Sequence, residues 1–254
     1  MQHLKAIAAG AVLTGASLTA QAGEWSANFT AANNYLWRGL TQSTNEPAMS
    51  GGIDWAHESG LYIGTWVSNV DYANATPASG SGDTFNYEHD LYIGFAGEFG
   101  NGLSYDIGYL YYNYDESADF DFGEIYGSLA YGGFSFTAYV FAHTEAKEYD
   151  STGDGIVNLD FDFGNAFYLS FDYGTTIGNG VDIGLHLGYH DGDFVDGFNF
   201  GNGTDSYLDF AASVSKGGFG FMVSTTDVDD SEDTPGLQNG EVKYVVSYSV
   251  DFEL

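Results

Sequence analysis

Apolar and polar residues alternate with a period of two over most of this chain, which is the pattern of a β-strand with two different faces. The last segment shows the alternation most clearly, because every even position from 242 to 254 is apolar or aromatic while the odd positions are mostly polar or charged. The same pattern returns at residues 90–95, 103–111, 167–173 and 181–189. These runs approach the ~9–11 residues that a tilted strand needs to cross a bilayer. The pattern therefore predicts a set of membrane-crossing strands.

Short and long connections between these strands alternate along the chain. Glycines in the short turns supply the positive φ that tight hairpins need. The short turns lie at residues 58–60, 100–102, 132–133, 178–180 and 216–218. The long connections are polar and lie near residues 41–47, 73–86, 114–121, 144–165, 190–206 and 227–241. These eleven connections predict twelve antiparallel strands, with both ends of the barrel sequence on the side of the short turns.

This layout predicts an all-β fold, a transmembrane antiparallel up-and-down β-barrel of about 12 strands. Outer-membrane barrels have an even strand count, short periplasmic turns and longer extracellular loops, so the long connections should face the outside of the cell. A secreted β-sandwich is the alternative. Aromatic residues near the strand ends, such as Tyr109, Tyr189 and Tyr244, favour the barrel because they suit a membrane interface.

The N-terminal stretch has the composition of an export signal. Lys5 precedes an apolar, alanine-rich run over residues 6–18, and Ala20-Gln21-Ala22 follows as a small-x-small cleavage pattern. The apolar run is too short for a transmembrane helix. The sequence therefore predicts a signal peptide over residues 1–22, a barrel over residues 23–254, and the outer membrane of a Gram-negative bacterium as the location.

The chain is strongly acidic, with 5 Lys and Arg against 36 Asp and Glu and a formal net charge of −31. Such a surface repels nucleic acid, which is therefore excluded as a partner. There is no cysteine, so disulfides cannot stabilise the fold, whereas a closed barrel in lipid pairs every backbone group. The expected partners are outer-membrane lipid and lipopolysaccharide, the barrel-assembly machinery during insertion, and small solutes. The sequence leaves the oligomeric state open.

Two motifs in the first third of the chain carry a family resemblance. One is Asn34-Tyr35-Leu36-Trp37-Arg38-Gly39-Leu40-Thr41-Gln42-Ser43, and the other runs from His57 through Gly60-Leu61-Tyr62-Ile63-Gly64-Thr65-Trp66 to Ser68-Asn69-Val70-Asp71. They resemble the S-D-Y-x-F-R-G-x-S-Q and G-x-Y-x-G-x-W-x-S-N-V-D segments of the TorF family of porins. The chain departs from that family at Asn33-Asn34, where Ser-Asp is usual, and at Trp55, where Tyr is usual. The resemblance implies an outer-membrane barrel of porin type and no particular substrate.

The C-terminal strand resembles the terminal signal by which outer-membrane barrels are recognised for insertion. It carries Tyr248 and Phe252 at alternating positions and ends on Leu254, where the usual signal ends on Phe. This resemblance supports the prediction that the barrel-assembly machinery inserts the protein.

The alternation also assigns faces to the strands. The first strand is predicted to continue to residue 38, with Phe29, Ala31, Tyr35 and Trp37 on the outer face and Asn28, Thr30, Asn34 and Arg38 pointing inward. Because a basic residue facing lipid at the midplane costs ~2–4 kcal/mol, charged strand residues are assigned to the lumen. The predicted pore-lining residues are Arg38, Asp54, Glu88, Asp90, Asp106, Glu124, Asp172, Asp182, Asp209 and Lys243.

These residues predict a porin-like channel for passive diffusion of small hydrophilic solutes, cationic or neutral, because carboxylates on the wall of a narrow pore favour cations. The alternative is a closed structural or adhesive barrel, in which the acids pair with Arg38, Lys243 and tyrosine hydroxyls. Arg38 is either a residue of the constriction or a counter-ion to Asp54 or Asp90.

An outer-membrane lipid hydrolase is a further alternative. His186 and His190 share a strand face with Ser170, but the chain has no G-x-S-x-G nucleophile motif and these residues are assigned to the lumen rather than to the lipid face. We therefore predict no enzyme, no catalytic residue and no cofactor. Acid-rich stretches at 150–162, 191–193 and 227–233 invite a calcium interpretation, but none matches the EF-hand loop, and no metal site is predicted.

Overall fold

The structure is a computed structural model that describes residues 23–71, 86–115, 121–144, 162–192, 206–229 and 237–254. The predicted signal peptide, residues 1–22, lies outside the described residues, and its cleavage stays a prediction. The same holds for most of the predicted long loops and for most of the acid-rich stretches that invite a calcium interpretation.

Fourteen β-strands make up the regular structure of the described residues. They are β1 (Glu24–Ala32), β2 (Leu36–Trp37), β3 (Leu40–Thr41), β4 (Ala48–Ala56), β5 (Leu61–Asn69), β6 (Tyr87–Glu98), β7 (Ser104–Tyr114), β8 (Phe122–Tyr131), β9 (Phe134–Thr144), β10 (Ala166–Ile177), β11 (Val181–Gly192), β12 (Ser206–Lys216), β13 (Phe219–Thr226) and β14 (Lys243–Glu253). Within the described ranges, no helix is long and apolar enough to cross a membrane.

Twelve of these strands close into one antiparallel barrel. From β4 to β14 each strand pairs with the next along the chain, and β1 completes the ring by pairing with both β14 and β4. Ser26 lies opposite Glu253 at one seam, and Ala32 lies opposite Ala48 at the other. The prediction of a twelve-stranded up-and-down barrel is confirmed, whereas β2 and β3 form a separate two-stranded sheet that the prediction did not contain.

Each predicted short turn joins two barrel strands. Gly132-Gly133 joins β8 to β9 with φ angles of 59° and 91°, and Gly217-Gly218 joins β12 to β13 with φ angles of 60° and 87°. Two successive positive φ angles make the type I′ geometry that matches the twist of a hairpin. All five short turns and both ends of the barrel sequence gather at one end of the barrel, the turn end. The opposite end is the long-loop end.

The outer face of the barrel is apolar. Large side chains such as Phe29, Ile93, Phe136, Phe171 and Phe221 are exposed on it. A band of this kind would be an unstable surface in water, and it is the surface that a transmembrane barrel presents to lipid. The alternate positions of the same strands point into the lumen.

The lumen has two unlike halves. Toward the long-loop end it is filled by buried aromatic rings, which include those of Tyr112, Tyr114, Phe122, Tyr139, Phe141, Tyr168 and Tyr207. Toward the turn end the luminal positions carry mainly small or acidic side chains, among them Ser26, Asp54, Ser104, Asp106, Ser128, Thr137, Asp172, Asp182, Ser215 and Ser247.

Glycines make room for some of the luminal rings. Tyr62 lies opposite Gly94, and Tyr92 lies opposite Gly64, in the pairing of β5 with β6. A Cβ atom on either glycine would collide with the facing tyrosine ring. Small residues in the wall therefore allow large rings to narrow the middle of the barrel.

Candidate channel lumen

The chain leaves the barrel wall directly after β1 and folds into the lumen. Asn33 marks the exit, because its side chain donates to the Tyr244 carbonyl (3.0 Å) and accepts from the Val246 amide (2.7 Å) of β14. Ten consecutive residues, 34–43, are then buried inside the barrel. The chain returns to the wall at the start of β4. We call residues 33–47 the plug.

The plug corrects the face assignment of Tyr35 and Trp37. Both were predicted on the outer face, but they are only 7% and 6% exposed and lie in the luminal core. The period-two rule holds only while the chain stays in the pleat of the wall, and the plug has left it. Asn34 and Arg38 do lie inside, as predicted, although on a hairpin and not on a strand of the wall.

A tight hairpin carries Arg38 at its tip. β2 and β3 pair through Leu36 with Thr41 and Trp37 with Leu40, so that Arg38 and Gly39 form a two-residue turn with φ angles of 50° and 81°. A left-handed conformation costs a non-glycine residue roughly 1–2 kcal/mol. A Cβ atom on Gly39 would come within 2.6 Å of Thr226 and 2.8 Å of Asp209, so the turn is pressed directly against the wall.

The guanidinium group of Arg38 is enclosed on all sides. Its Nη2 donates to Glu124 Oε2 at 2.5 Å, and its Nη1 donates to His190 Nε2 at 3.0 Å. Three rings lie over it, with their centroids 4.2 Å (Trp37), 4.4 Å (Tyr168) and 5.1 Å (Tyr139) from its central carbon. All are within the distance of a cation–π contact. We call the wall residues of this site, Glu124, Tyr139, Tyr168 and His190, the guanidinium box.

The acid that pairs with Arg38 is Glu124, which corrects the alternative of a counter-ion to Asp54 or Asp90, while a role of Arg38 in a constriction stays a prediction. Alternation had already assigned Glu124 to the lumen, and the difference comes from the plug, which leaves the wall after β1 and carries Arg38 to Glu124 on β8 and His190 on β11.

Further polar contacts attach the plug to the wall. Tyr35 donates its hydroxyl hydrogen to Glu88 at 2.7 Å, and the Trp37 indole donates to the Tyr112 hydroxyl at 3.4 Å. The Thr41 amide donates to the side chain of Asn239 at 3.0 Å. These contacts join the plug to strands on several sides of the barrel and to the segment before β14.

Lys243 holds the other end of the plug. Its ammonium group donates to the Asn45 side chain (2.9 Å) and to the carbonyls of Leu237 (2.8 Å) and Gln238 (2.9 Å). The residue is buried on the luminal side, as its face assignment predicted. It therefore anchors the plug at the long-loop end of the lumen.

The acids of the turn-end half have hydroxyl partners. Asp54 accepts a hydrogen bond from Tyr92, Asp106 accepts one from Tyr62 at 2.7 Å, and Asp182 accepts one from Thr176 at 2.6 Å. Asp172, in the same half, contacts His186 at 2.5 Å, whereas the ion pair with an arginine belongs to Glu124 near the plug. This half of the lumen therefore keeps a surplus of negative charge.

The family of the chain follows from its sequence profile. A profile described as a bacterial protein of unknown function, Gcw_chp, matches residues 17–252. The chain belongs to the Gcw_chp family. The description of this profile does not name the TorF family, so the resemblance to that family stays a prediction. No curated protein matches the chain.

Solved structures show what the Gcw_chp barrel is similar to. A structure described as the KdgM porin shares 10% identity at a TM-score of 0.52 and covers 89% of this chain and 99% of its own. Outer membrane phospholipase A from Escherichia coli shares 11% identity at a TM-score of 0.41, covering 91% and 96%. At these identities the likeness to the KdgM porin concerns the fold alone.

A second polar cluster of this Gcw_chp barrel surrounds His186. Its Nδ1 bonds to Asp172 at 2.5 Å and its Nε2 bonds to Asp209 at 2.8 Å. Ser170 donates to the same Asp172 at 3.1 Å, and Tyr168 donates to Asp209 at 3.0 Å. Ser170 and His186 thus share a carboxylate as partner, which is not the serine–histidine contact of a hydrolase.

Two buried acids lie near the plug. Glu88 accepts from Tyr35 and, at 3.1 Å, from Tyr114. Asp90 is on the same strand face and close enough to Glu88 and Glu124 for their charges to interact, yet its Oδ1 accepts no hydrogen bond from the described residues. A buried carboxylate oxygen without a partner is costly. Of the three carboxylates in this region, Glu124 is the one that pairs with Arg38.

All ten predicted pore-lining residues thus lie on the luminal side, and their role in conduction stays a prediction. Among the described residues, no group of three or more His, Cys, Asp or Glu is placed to hold a metal ion. The luminal tyrosines were not predicted as site residues, although their positions on the polar faces of amphipathic strands were a usable signal.

Proposed function

We propose that this protein is an outer-membrane channel for passive passage of small hydrophilic solutes, cationic or neutral, and that the plug closes it in this state. One observation carries the proposal. β1 and β4 pair along their whole length, from Glu24 opposite Ala56 to Ala32 opposite Ala48, so the wall is complete without the plug. The segment that fills the lumen can therefore move without opening the ring. The TorF porin resemblance agrees with this proposal.

The charge of the lumen supports a cation preference. Asp54, Asp106 and Asp182 carry no basic partner among the described contacts, since their partners are the hydroxyl groups of Tyr92, Tyr62 and Thr176. In a narrow, low-dielectric pore, wall charge concentrates counter-ions and repels co-ions. We therefore infer that cations pass more easily than anions once the plug has moved.

Replacing Asp54, Asp106 and Asp182 together by Asn should lower the ratio of cation to anion permeability several-fold. Two unit charges at close range in water interact by roughly 1 kcal/mol. The loss of three wall charges should therefore change the free energies of cation and anion passage by a large amount. The measurement is the reversal potential of the refolded protein in asymmetric potassium chloride. Glu58→Gln, an exposed change in the first short turn, is the control and should leave the ratio unchanged. Anion selectivity of the unmodified protein would contradict the proposal.

A non-conducting structural barrel is the second candidate, because rings and plug fill the long-loop half of the lumen in this state. It differs from a gated channel in one outcome. A structural barrel stays silent in planar bilayers even when the plug is removed, whereas a gated channel does not. A lipid hydrolase lacks support in the contacts of Ser170 described above.

Location and orientation follow from the same proposal. We infer export by a signal peptide cleaved after Ala22, and insertion with the turn end in the periplasm. Because the chain has no cysteine, single cysteines report on orientation without background. On intact cells, Gln238→Cys should react with an impermeant maleimide and Asn101→Cys should not. Reaction of Asn101→Cys but not of Gln238→Cys would show that the topology is the opposite of the one proposed. Recovery as a soluble periplasmic protein would refute membrane insertion.

A further inference from the structure

We propose that the guanidinium box is a binding site for the guanidinium group of a solute, which Arg38 occupies from within while the plug is closed. The inference rests on the proposed channel function and names the class of solute that the channel would select. It concerns the wall residues Glu124, Tyr139, Tyr168 and His190, which stay in place when the plug moves.

The box has the shape and charge of a receptor for a planar cation. Glu124 supplies a carboxylate, and Tyr139 and Tyr168 supply aromatic faces. Because an arginine can only donate hydrogen bonds, His190 Nε2 accepts from it, and the imidazole proton is then on Nδ1, facing the Tyr207 hydroxyl at 3.2 Å. One acceptor oxygen, one acceptor nitrogen and two ring faces suit a flat, multiply donating guanidinium better than a compact ammonium.

The backbone conformation at position 38 is unfavourable for an arginine. Its φ of 50°, in a two-residue hairpin turn, suits glycine or asparagine. The turn itself therefore gives no reason for an arginine, and the contacts of the side chain do. Backbone strain of this kind points to a functional role for the residue, and here the side chain fills the box as an internal ligand.

Withdrawal of the plug would leave the guanidinium box without a positively charged group. Glu124 would lose its ion pair, and the nearby Asp90 has an oxygen that accepts no hydrogen bond from the described residues even while the plug is in place. A buried carboxylate requires a counter-charge or a proton. A guanidinium-bearing solute that replaces Arg38 would therefore stabilise the open state, and the solute would promote its own passage.

The test uses the full-length refolded protein with Arg38→Gly, which empties the box and suits the turn. Methylguanidinium at low millimolar concentration is the probe, and the readout is the midpoint of thermal unfolding in detergent, followed by heat-modifiable gel mobility. We expect a saturable rise in the midpoint for Arg38→Gly and none for the unmodified protein. Arg38→Asn, which also suits a left-handed turn, is the second variant and should behave like Arg38→Gly.

Two controls make the result specific. Glu124→Gln added to Arg38→Gly should weaken binding by at least about tenfold, since a charge-assisted contact is lost. Tetramethylammonium, a cation without donors, should bind at least about tenfold more weakly than methylguanidinium. Absence of a saturable effect in both Arg38 variants, or an equal effect with Glu124→Gln, would overturn the inference.

Binding and conduction fail independently in this design. Saturable binding to Arg38→Gly in a barrel that never conducts would refute the channel and leave the guanidinium site standing. Conduction with cation preference but without methylguanidinium binding would refute the site and leave the channel standing.

Discussion

Replacing the plug by a two-residue Asn-Gly turn should raise the conductance of the refolded barrel by roughly tenfold or more, since a twelve-stranded wall is wider than the eight-stranded barrels that side chains fill. The design is simple because Ala32 and Ala48 are directly paired, so that a type I′ turn can join them in place of residues 33–47. Planar-bilayer recording of the two proteins gives the comparison.

The control for this replacement changes a turn of the same type at the opposite end. Exchanging Gly217-Gly218 for Asn-Gly keeps the positive φ geometry and touches no residue of the lumen. It should leave the conductance unchanged. If the barrel without its plug is as silent as the unmodified protein, the luminal rings close the barrel by themselves and the structural-barrel alternative is correct.

Replacing Glu124 by Gln should be the most disruptive single change in the lumen. It leaves the guanidinium of Arg38 buried without a carboxylate, and breaking a buried ion pair from one side costs about 3–5 kcal/mol. We expect the plug to leave its site, which appears as frequent opening in bilayer recordings, together with a lower unfolding midpoint. Asp182→Asn is the matched control, because Asp182 is partly exposed and bonds only to Thr176 among the described contacts. It should have little effect on the frequency of opening or on the unfolding midpoint.

The double variant Arg38→Gly/Glu124→Gln separates charge from packing. It removes both buried charges and the backbone strain at residue 38, so it should unfold at a higher midpoint than Glu124→Gln alone. A Glu124→Gln protein that is as stable and as closed as the unmodified one would show that the ion pair with Arg38 does not hold the plug.

Alternation and turn chemistry were sufficient to predict the wall of the barrel. A strand with one lipid face and one luminal face must repeat every two residues, and a two-residue hairpin at Gly132-Gly133 or Gly217-Gly218 must have positive φ. Both constraints are local, so a single sequence carries them. For the same reason the luminal face of Asp54, Asp106 and Lys243 could be assigned from parity.

The plug could not be predicted from these rules, because it depends on contacts between distant parts of the chain. Arg38 meets Glu124 and His190 only after the ring has closed and the plug has folded into it, and no local pattern shows which luminal acid it reaches. Two local signals were present nonetheless. The Asn33-Asn34 pair interrupts the apolar alternation, and Arg38-Gly39 ends in the glycine that a two-residue turn favours.

Locking the plug reversibly tests most directly whether it closes a conducting pore. The Asp71 amide donates to the Gln42 carbonyl at 2.9 Å, so cysteines at these two positions lie close enough for a disulfide or a short reducible linker. The experiment uses Gln42→Cys/Asp71→Cys in the Arg38→Gly background, where the plug has lost its ion pair, with Asp71→Cys alone as the control. We predict single-channel currents in the reduced protein, silence after cross-linking, and recovery with reductant. Equal conductance in the reduced and cross-linked states would contradict the plug as the element that closes the channel.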